Sequence, residues 1–277
     1  NASDTDGAVA FSIAFSDSAG NAGTAVTAVT DGTSVTFDDT VPTLSSVSIE
    51  SNNATTTLAK ANDDVTLTIT ASETIVTPVV TFTCGGAAIT DPSIAYANTS
   101  GNTWTAVYTA NASDTDGAVA FSIAFSDSAG NAGTAVTAVT DGTSVTFDDT
   151  APTMTITAAE VNDGDTSNDA TLSLTFTSSE TTTNFASGDI TVSNGSISSF
   201  GGSGTSYTAT FTPDGAGACT IDVGSNKFTD AAGNNNTAAT QFNWTYDNTV
   251  PVIGSVDWTN SSADNNESPL YISVEFN

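Results

Sequence analysis

Residues 111–150 read NASDTDGAVAFSIAFSDSAGNAGTAVTAVTDGTSVTFDDT, and residues 1–40 read the same forty letters. Within the stretch, Val119, Phe121, Ile123 and Phe125 place an apolar side chain at every second position. That is the period of a strand with one face buried. Gly130 and Asn131 then break the run, and Val145 and Phe147 resume the alternation just before Asp148-Asp149-Thr150. The two copies are offset by 110 residues. Short solenoid repeats have much smaller periods, so this one predicts a tandem array of small independent domains.

The joints recur as well. Phe37-Asp38-Asp39-Thr40-Val41-Pro42 returns as Phe147-Asp148-Asp149-Thr150-Ala151-Pro152, and in looser form as Tyr246-Asp247-Asn248-Thr249-Val250-Pro251. Proline cannot donate to a ladder and Asp disfavours a strand, so each reads as a linker. The expected division is 1–40, the C-terminal part of a domain; 41–150 and 151–249, two full domains; and 250–277, the N-terminal part of another. Both ends then fall inside a domain, as in a window onto a longer tandem protein.

Alternation continues outward through both full domains. In the first, Val47 and Ile49, then Val65, Leu67 and Ile69, then Val80, Phe82 and Cys84, then Trp104, Ala106 and Tyr108 mark four more strands. In the second, the marks are Met154 and Ile156; Leu172, Leu174 and Phe176; Ile190 and Val192; Tyr207, Ala209 and Phe211; and Phe242, Trp244 and Tyr246. No stretch sustains a helical period. About seven short strands in about 100 residues describe an all-β, immunoglobulin-like sandwich.

Composition excludes several functions. The chain has 277 residues, 31 acids, two basic residues (Lys60 and Lys227) and no His, for a formal charge of −29. Nucleic acid and anionic membrane surfaces need cations that it lacks. Histidine-dependent triads, proton shuttles and zinc sites are unavailable. No run of 18 apolar residues would insert in a bilayer, and no signal peptide is visible. The aspartic-protease triplet Asp-Thr-Gly does not occur, and the expectation is that the chain is not an enzyme. Cys84 and Cys219 fall in different domains, which excludes a bridge within either one. They read as half-buried small hydrophobes, with a bridge to another chain or a distant repeat as the alternative.

The joint motif D-[DN]-T-[AV]-P, the D-x-A-G-N turn before the last strand and the stretch Val161–Asp169 (VNDGDTSND) resemble the bacterial Ig-like tandem repeats of large secreted adhesins and surface proteins. The resemblance implies an elongated array of Ig-like sandwiches at the cell surface or outside it. Antibody-type domains differ in their paired cysteines and in a Trp on the third strand.

The acids gather at turns and joints. Threading an Ig sandwich brings the incoming linker, the loop after the second strand and the last turn to one pole. At the first joint these supply Asp38 and Asp39, Glu73 and Asp127. At the second they supply Asp148 and Asp149, Glu180 and Asp230. Asp247 opens the same arrangement at the third. Carboxylates so close repel, and a hard cation held by oxygen alone relieves them, Ca²⁺ best of all. The alternative is solvated acids selected for turn geometry. A second acidic stretch, Asn111–Gly117, reads as a turn.

The function expected from these residues is a structural stalk or filament segment with calcium-stiffened joints. Its partners would be further copies of the same repeats in cis and neighbouring chains in a filament. The alternatives are a glycan- or protein-binding adhesion module, for which a surface aromatic cluster would be diagnostic, and a phage or virus surface fibre.

Overall fold

The protein is described by a computed structural model over residues 4–258 and 272–276. It divides into two compact units, Asn1–Thr150 and Ala151–Asn277.

The first unit opens with β1 (Gly7–Ala8) and β2 (Thr36–Phe37), which pair with each other. None of the described residues up to Thr40 is buried. The remainder is a two-layer sandwich. Its strands are β3 (Leu44–Ser51), β4 (Leu58–Ala59), β5 (Asp64–Ala71), β6 (Val79–Cys84), β7 (Ala87–Ala88), β8 (Ala95–Ser100), β9 (Thr103–Thr109), β10 (Gly117–Ala124) and β11 (Thr146–Phe147). One sheet has the order β3-β5-β9-β8 and the other β4-β11-β10-β6-β7. This is the strand distribution of an Ig-like sandwich. The alternation predicted for Val65, Leu67 and Ile69 is the buried face of β5, and that for Val119, Phe121 and Ile123 the buried face of β10. Tyr108, Phe147, Leu67, Ile69 and Ile123 are fully buried between the sheets. Phe147, Leu67, Ile69 and Ile123 each contribute about 1.5–3 kcal/mol relative to exposure.

The second unit repeats the plan with different residues. Its strands are β12 (Met154–Ala158), β13 (Thr166–Ser167), β14 (Leu172–Thr182), β15 (Ile190–Ser193), β16 (Gly195–Pro213), β17 (Gly217–Val223) and β18 (Phe242–Tyr246). The sheets are β12-β14-β16 and β13-β18-β17-β15. Ile190 and Val192 therefore lie on the strand beside β17, in the position β6 holds beside β10. A ring of aromatics closes one end of the core. Phe185 lies 5.1–5.7 Å, centroid to centroid, from Phe176, Phe200, Tyr207 and Phe228. Beyond the sandwich, β19 (Ile253–Trp258) pairs with β20 (Ile272–Phe276).

Both cysteines are free, and they are fully buried rather than half-buried, at 0% and 1% exposure. Burial pushes the Cys84 thiol up to about 11, with the nearby Asp114 carboxylate acting in the same direction. A thiol so placed stays protonated and inert.

Candidate metal centre

The last turn of the first unit is built around one carboxylate. Asp127 follows β10 and is only 2% exposed. Its Oδ1 accepts the backbone N–H groups of Gly130 (2.7 Å) and Asn131 (2.8 Å), and its Oδ2 accepts the Asn131 side-chain amide at 2.8 Å. Gly130 has φ +100°, a conformation that a side chain would strain, which is why Gly follows Ala129 here. The Asn131 amide also donates to the Asp38 carbonyl at 3.0 Å, tying the incoming linker to the turn. Burial works to raise the Asp127 pKa, but the hydrogen bonds from Asn131, Gly130 and Ala129 together hold it below its ordinary 3.8. The acid is therefore ionised and fixed in place.

Asp38 and Glu73 face it. Carboxylate oxygens of Asp38, Glu73 and Asp127 all lie within 4.8 Å of one another. Two ligands on opposite sides of one Ca²⁺, each at about 2.4 Å, would be separated by that distance. Burial pushes Glu73 above its ordinary 4.5, and the charges of Asp38, Asp127 and Asp6 push the same way. Burial and neighbouring negative charge both disfavour the ionised form, and here they add. The donor set, oxygen only and anionic, fits Ca²⁺ and not a soft metal.

The second unit builds the same turn. Asp230 accepts from Gly233 N–H (2.7 Å), Asn234 N–H (2.9 Å) and the Asn234 side-chain amide (2.9 Å). It is 7% exposed. Glu180, near the end of β14, brings a carboxylate oxygen within 4.8 Å of one on Asp230. Asp148 closes the first unit, where its N–H donates to the Ala59 carbonyl at 2.9 Å.

The other linker acids are occupied differently. Asp39 is exposed, and its N–H donates to Asp6 Oδ1 at 2.9 Å. Asp149 Oδ1 accepts the Ala61 N–H at 3.1 Å. Neither is among the grouped carboxylates. Asp247 Oδ1 accepts the Thr249 N–H at 2.9 Å, and the Asp247 N–H donates to the Ser167 carbonyl at 3.0 Å. In the stretch 111–117, Asp114 accepts from Thr90 N–H (2.7 Å) and Asn111 N–H (2.9 Å), which makes it the anchor of a turn.

Sequence comparison reaches the second sandwich. Residues 148–246 match the bacterial Ig-like domain family. That segment runs from Asp148 to the last residue of β18. No curated protein matches the chain. Among solved structures, the titin I9–I11 tandem is 11% identical, with 72% of this chain and 65% of that one covered at a TM-score of 0.33. The titin I67–I69 fragment is 12% identical, covering 76% and 66% at 0.33. The Ig1–2 module of the Drosophila receptor tyrosine phosphatase DLAR is 10% identical, covering 75% and 100% at 0.25. The Ig-like assignment rests on the strand pairing of each unit and on the family match.

Proposed function

We propose that this chain is a segment of a long extracellular stalk, an adhesin or surface appendage, whose joints are stiffened by Ca²⁺. The observation that carries this reading is the serial recurrence of one construction. The same acidic joint leads into sandwiches of the same topology, and the same buried Asp stands at the last turn of each. The ligands at the first joint are Asp38, Glu73 and Asp127, and the second unit offers Glu180 and Asp230 for the same purpose. Ca²⁺ at each set removes mutual repulsion and ties the linker to the turn, so a short connection stops acting as a free swivel. The negative surface keeps such a stalk soluble and self-repelling.

An adhesive module would expose aromatic side chains for a glycan or a protein. Among the residues whose exposure is described, the exposed aromatic side chains are Phe11 and Phe15, and their identical counterparts Phe121 and Phe125 are core residues. This favours the stalk. Calorimetric titration of the chain with Ca²⁺ tests the reading, paired with small-angle scattering in Ca²⁺ and in chelator. Two binding events, and a narrower distribution of chain dimensions with Ca²⁺, are expected. No heat and superimposable scattering curves would overturn it.

A further inference from the structure

The acids between β9 and β10 lie outside the metal centre, yet one of them grips the linker. Asp116 Oδ1 accepts the Asp149 N–H at 2.9 Å, and its Oδ2 accepts the Thr150 hydroxyl at 2.5 Å. The identical stretch at the start of the chain repeats both bonds. Asp6 accepts the Asp39 N–H at 2.9 Å, and it accepts the Thr40 hydroxyl. The turn that carries Asp116 is itself held. Asp114 anchors it through Thr90 and Asn111, and Gly117 stands at φ +137° with room for no side chain, since a Cβ there would come within 2.9 Å of Gly85 Cα.

The bonds around Asp149 form a chain of custody for the departing backbone. Asp148 N–H is bound to Ala59, Asp149 N–H and Thr150 Oγ1 to Asp116, and the Asp149 carboxylate to Ala61 N–H. The backbone is therefore fixed as far as Thr150. Pro152 then locks its own φ and restricts Ala151.

The third joint lacks this device. Gly217 pairs with Tyr246 as Gly117 pairs with Phe147, and it has the same φ of +137°. The residue before it is Ala216 where the first unit has Asp116, and Asn248 stands in the place of Asp149. Among the described residues, the last tie of that joint to its sandwich is the Asp247 N–H to Ser167, two residues short of the point where the latched joint is held.

We infer that Asp116, and Asp6 in its copy, is a positioning residue that latches the linker to the sandwich it leaves, without any metal, while the joint at 246–251 is an unlatched hinge. The stalk then has joints of two stiffnesses, set by one residue of a turn. The inference builds on the stalk reading but not on calcium.

The test is amide hydrogen exchange read by NMR on the full chain in chelator. The Asp149 amide should exchange at least about tenfold more slowly than the Asn248 amide, the protection expected of a hydrogen bond to a charged acceptor. Asp116→Ala should erase that difference while the β10 amides stay protected. Asp116→Asn, which keeps one acceptor oxygen, should restore part of it. Ala216→Asp should slow exchange at Asn248, a gain that a merely structural role for Asp116 would not produce. Equal exchange at Asp149 and Asn248 in the unaltered chain would overturn the latch. So would an Asp149 amide indifferent to Asp116→Ala. Because every reading is made in chelator, failure here leaves the calcium proposal standing, and failure to bind Ca²⁺ leaves the latch standing.

Discussion

Phe11 and Phe121 occupy the same position in two identical forty-residue stretches, yet Phe11 is 39% exposed and Phe121 only 8%. The difference lies in what covers them. Strands from residues 44–109 pack over Phe121 and its neighbours, and no buried residue accompanies Phe11. Phe121→Ala should therefore lower the stability of the first unit by about 3–5 kcal/mol. Phe11→Ala should change it by less than about 0.5 kcal/mol. Chemical denaturation of the two variants checks this. Equal losses would mean that residues 1–40 are packed as tightly as their copy.

Ca²⁺ that binds the folded joints should raise stability by mass action, by about 2.7 kcal/mol at a hundredfold excess over Kd. Asp127→Asn should remove the increment from the first unit and Asp230→Asn from the second, each leaving the other intact. Asn keeps the oxygen that accepts the two backbone N–H groups but loses the charge and the acceptor for the Asn131 or Asn234 side-chain amide, so each variant is compared with itself in Ca²⁺ and in chelator. Melting curves with millimolar Ca²⁺ and with chelator give the comparison. The idea fails if the unaltered chain melts at the same temperature in both.

Glu73 and Asp127 should respond to pH with opposite signs. Glu73 has a folded pKa above its ordinary 4.5. Its favourable contribution is present while it is protonated, below the unfolded value, and is lost as pH rises through the folded one. Asp127 has a folded pKa below 3.8. Its hydrogen bonds stabilise above the unfolded value and are lost as pH falls through the folded one. In chelator, Glu73→Gln should thus raise the melting temperature at pH 7 and leave it unchanged near pH 4. In Ca²⁺ at pH 7 the same change should lower it, because a ligand has gone. A variant that melts lower than the unaltered chain in chelator at pH 7 would show that burial and the neighbouring carboxylates do not disfavour the ionised Glu73 as argued.

Cys84 stands across from Val119 on the neighbouring strand. The Gly85 N–H donates to the Ala118 carbonyl, which makes the Cys84 and Val119 pair one of the non-hydrogen-bonded, closely approached kind. Such a pair has a Cα separation of about 4.5 Å, within the range of a disulfide. Val119 holds in its sandwich the place of Cys219 in the other, where Cys219 Sγ lies 3.5 Å from the Asn194 carbonyl. Val119→Cys should therefore close a bridge to Cys84 under oxidising conditions, detectable as a loss of two mass units. Two free thiols after exhaustive oxidation would contradict the register.

The main strands were legible because one face of each is buried, so apolar side chains recur at every second residue from Val65 to Ile69 and from Val119 to Phe125. β8 was not legible. It is an edge strand whose residues are exposed except for the partly buried Tyr96, so its letters carry no alternation. The two-residue strands β4 and β7 are too short for any period. For the candidate site, the linker-loop-turn convergence followed from topology, and it drew Asp38, Asp39, Glu73 and Asp127 as a set, of which Asp38, Glu73 and Asp127 have grouped carboxylates. Nothing in the letters Asp38-Asp39 or Asp148-Asp149 separates the two acids of each pair. At the first joint the roles divide because successive backbone positions face different ways, the Asp38 carbonyl toward Asn131 and the Asp39 N–H toward Asp6. The latch was hidden for a related reason, since Asp116 reads as an ordinary turn acid until its partners 33 and 34 residues away are seen.

β4 runs parallel to β11, and β13 runs parallel to β18, in sandwiches whose other pairings are antiparallel. These strands lie near the entry and the exit of each sandwich. Tension on the chain would draw them past one another lengthwise, loading their backbone bonds in shear and all at once. An antiparallel pair pulled from one end would instead unzip bond by bond. The bonds concerned are Thr146 N–H to Thr57 and Asp148 N–H to Ala59 in one unit, and Thr245 N–H to Asp165 and Asp247 N–H to Ser167 in the other. Each sandwich should then yield abruptly at a high force when stretched end to end in a single-molecule experiment, and Ala59→Pro, which alters the seam in the first unit, should lower the force for that unit alone. A gradual extension without a distinct rupture would count against it. Asp148, read from the sequence as a joint ligand, is also the residue whose backbone closes the seam.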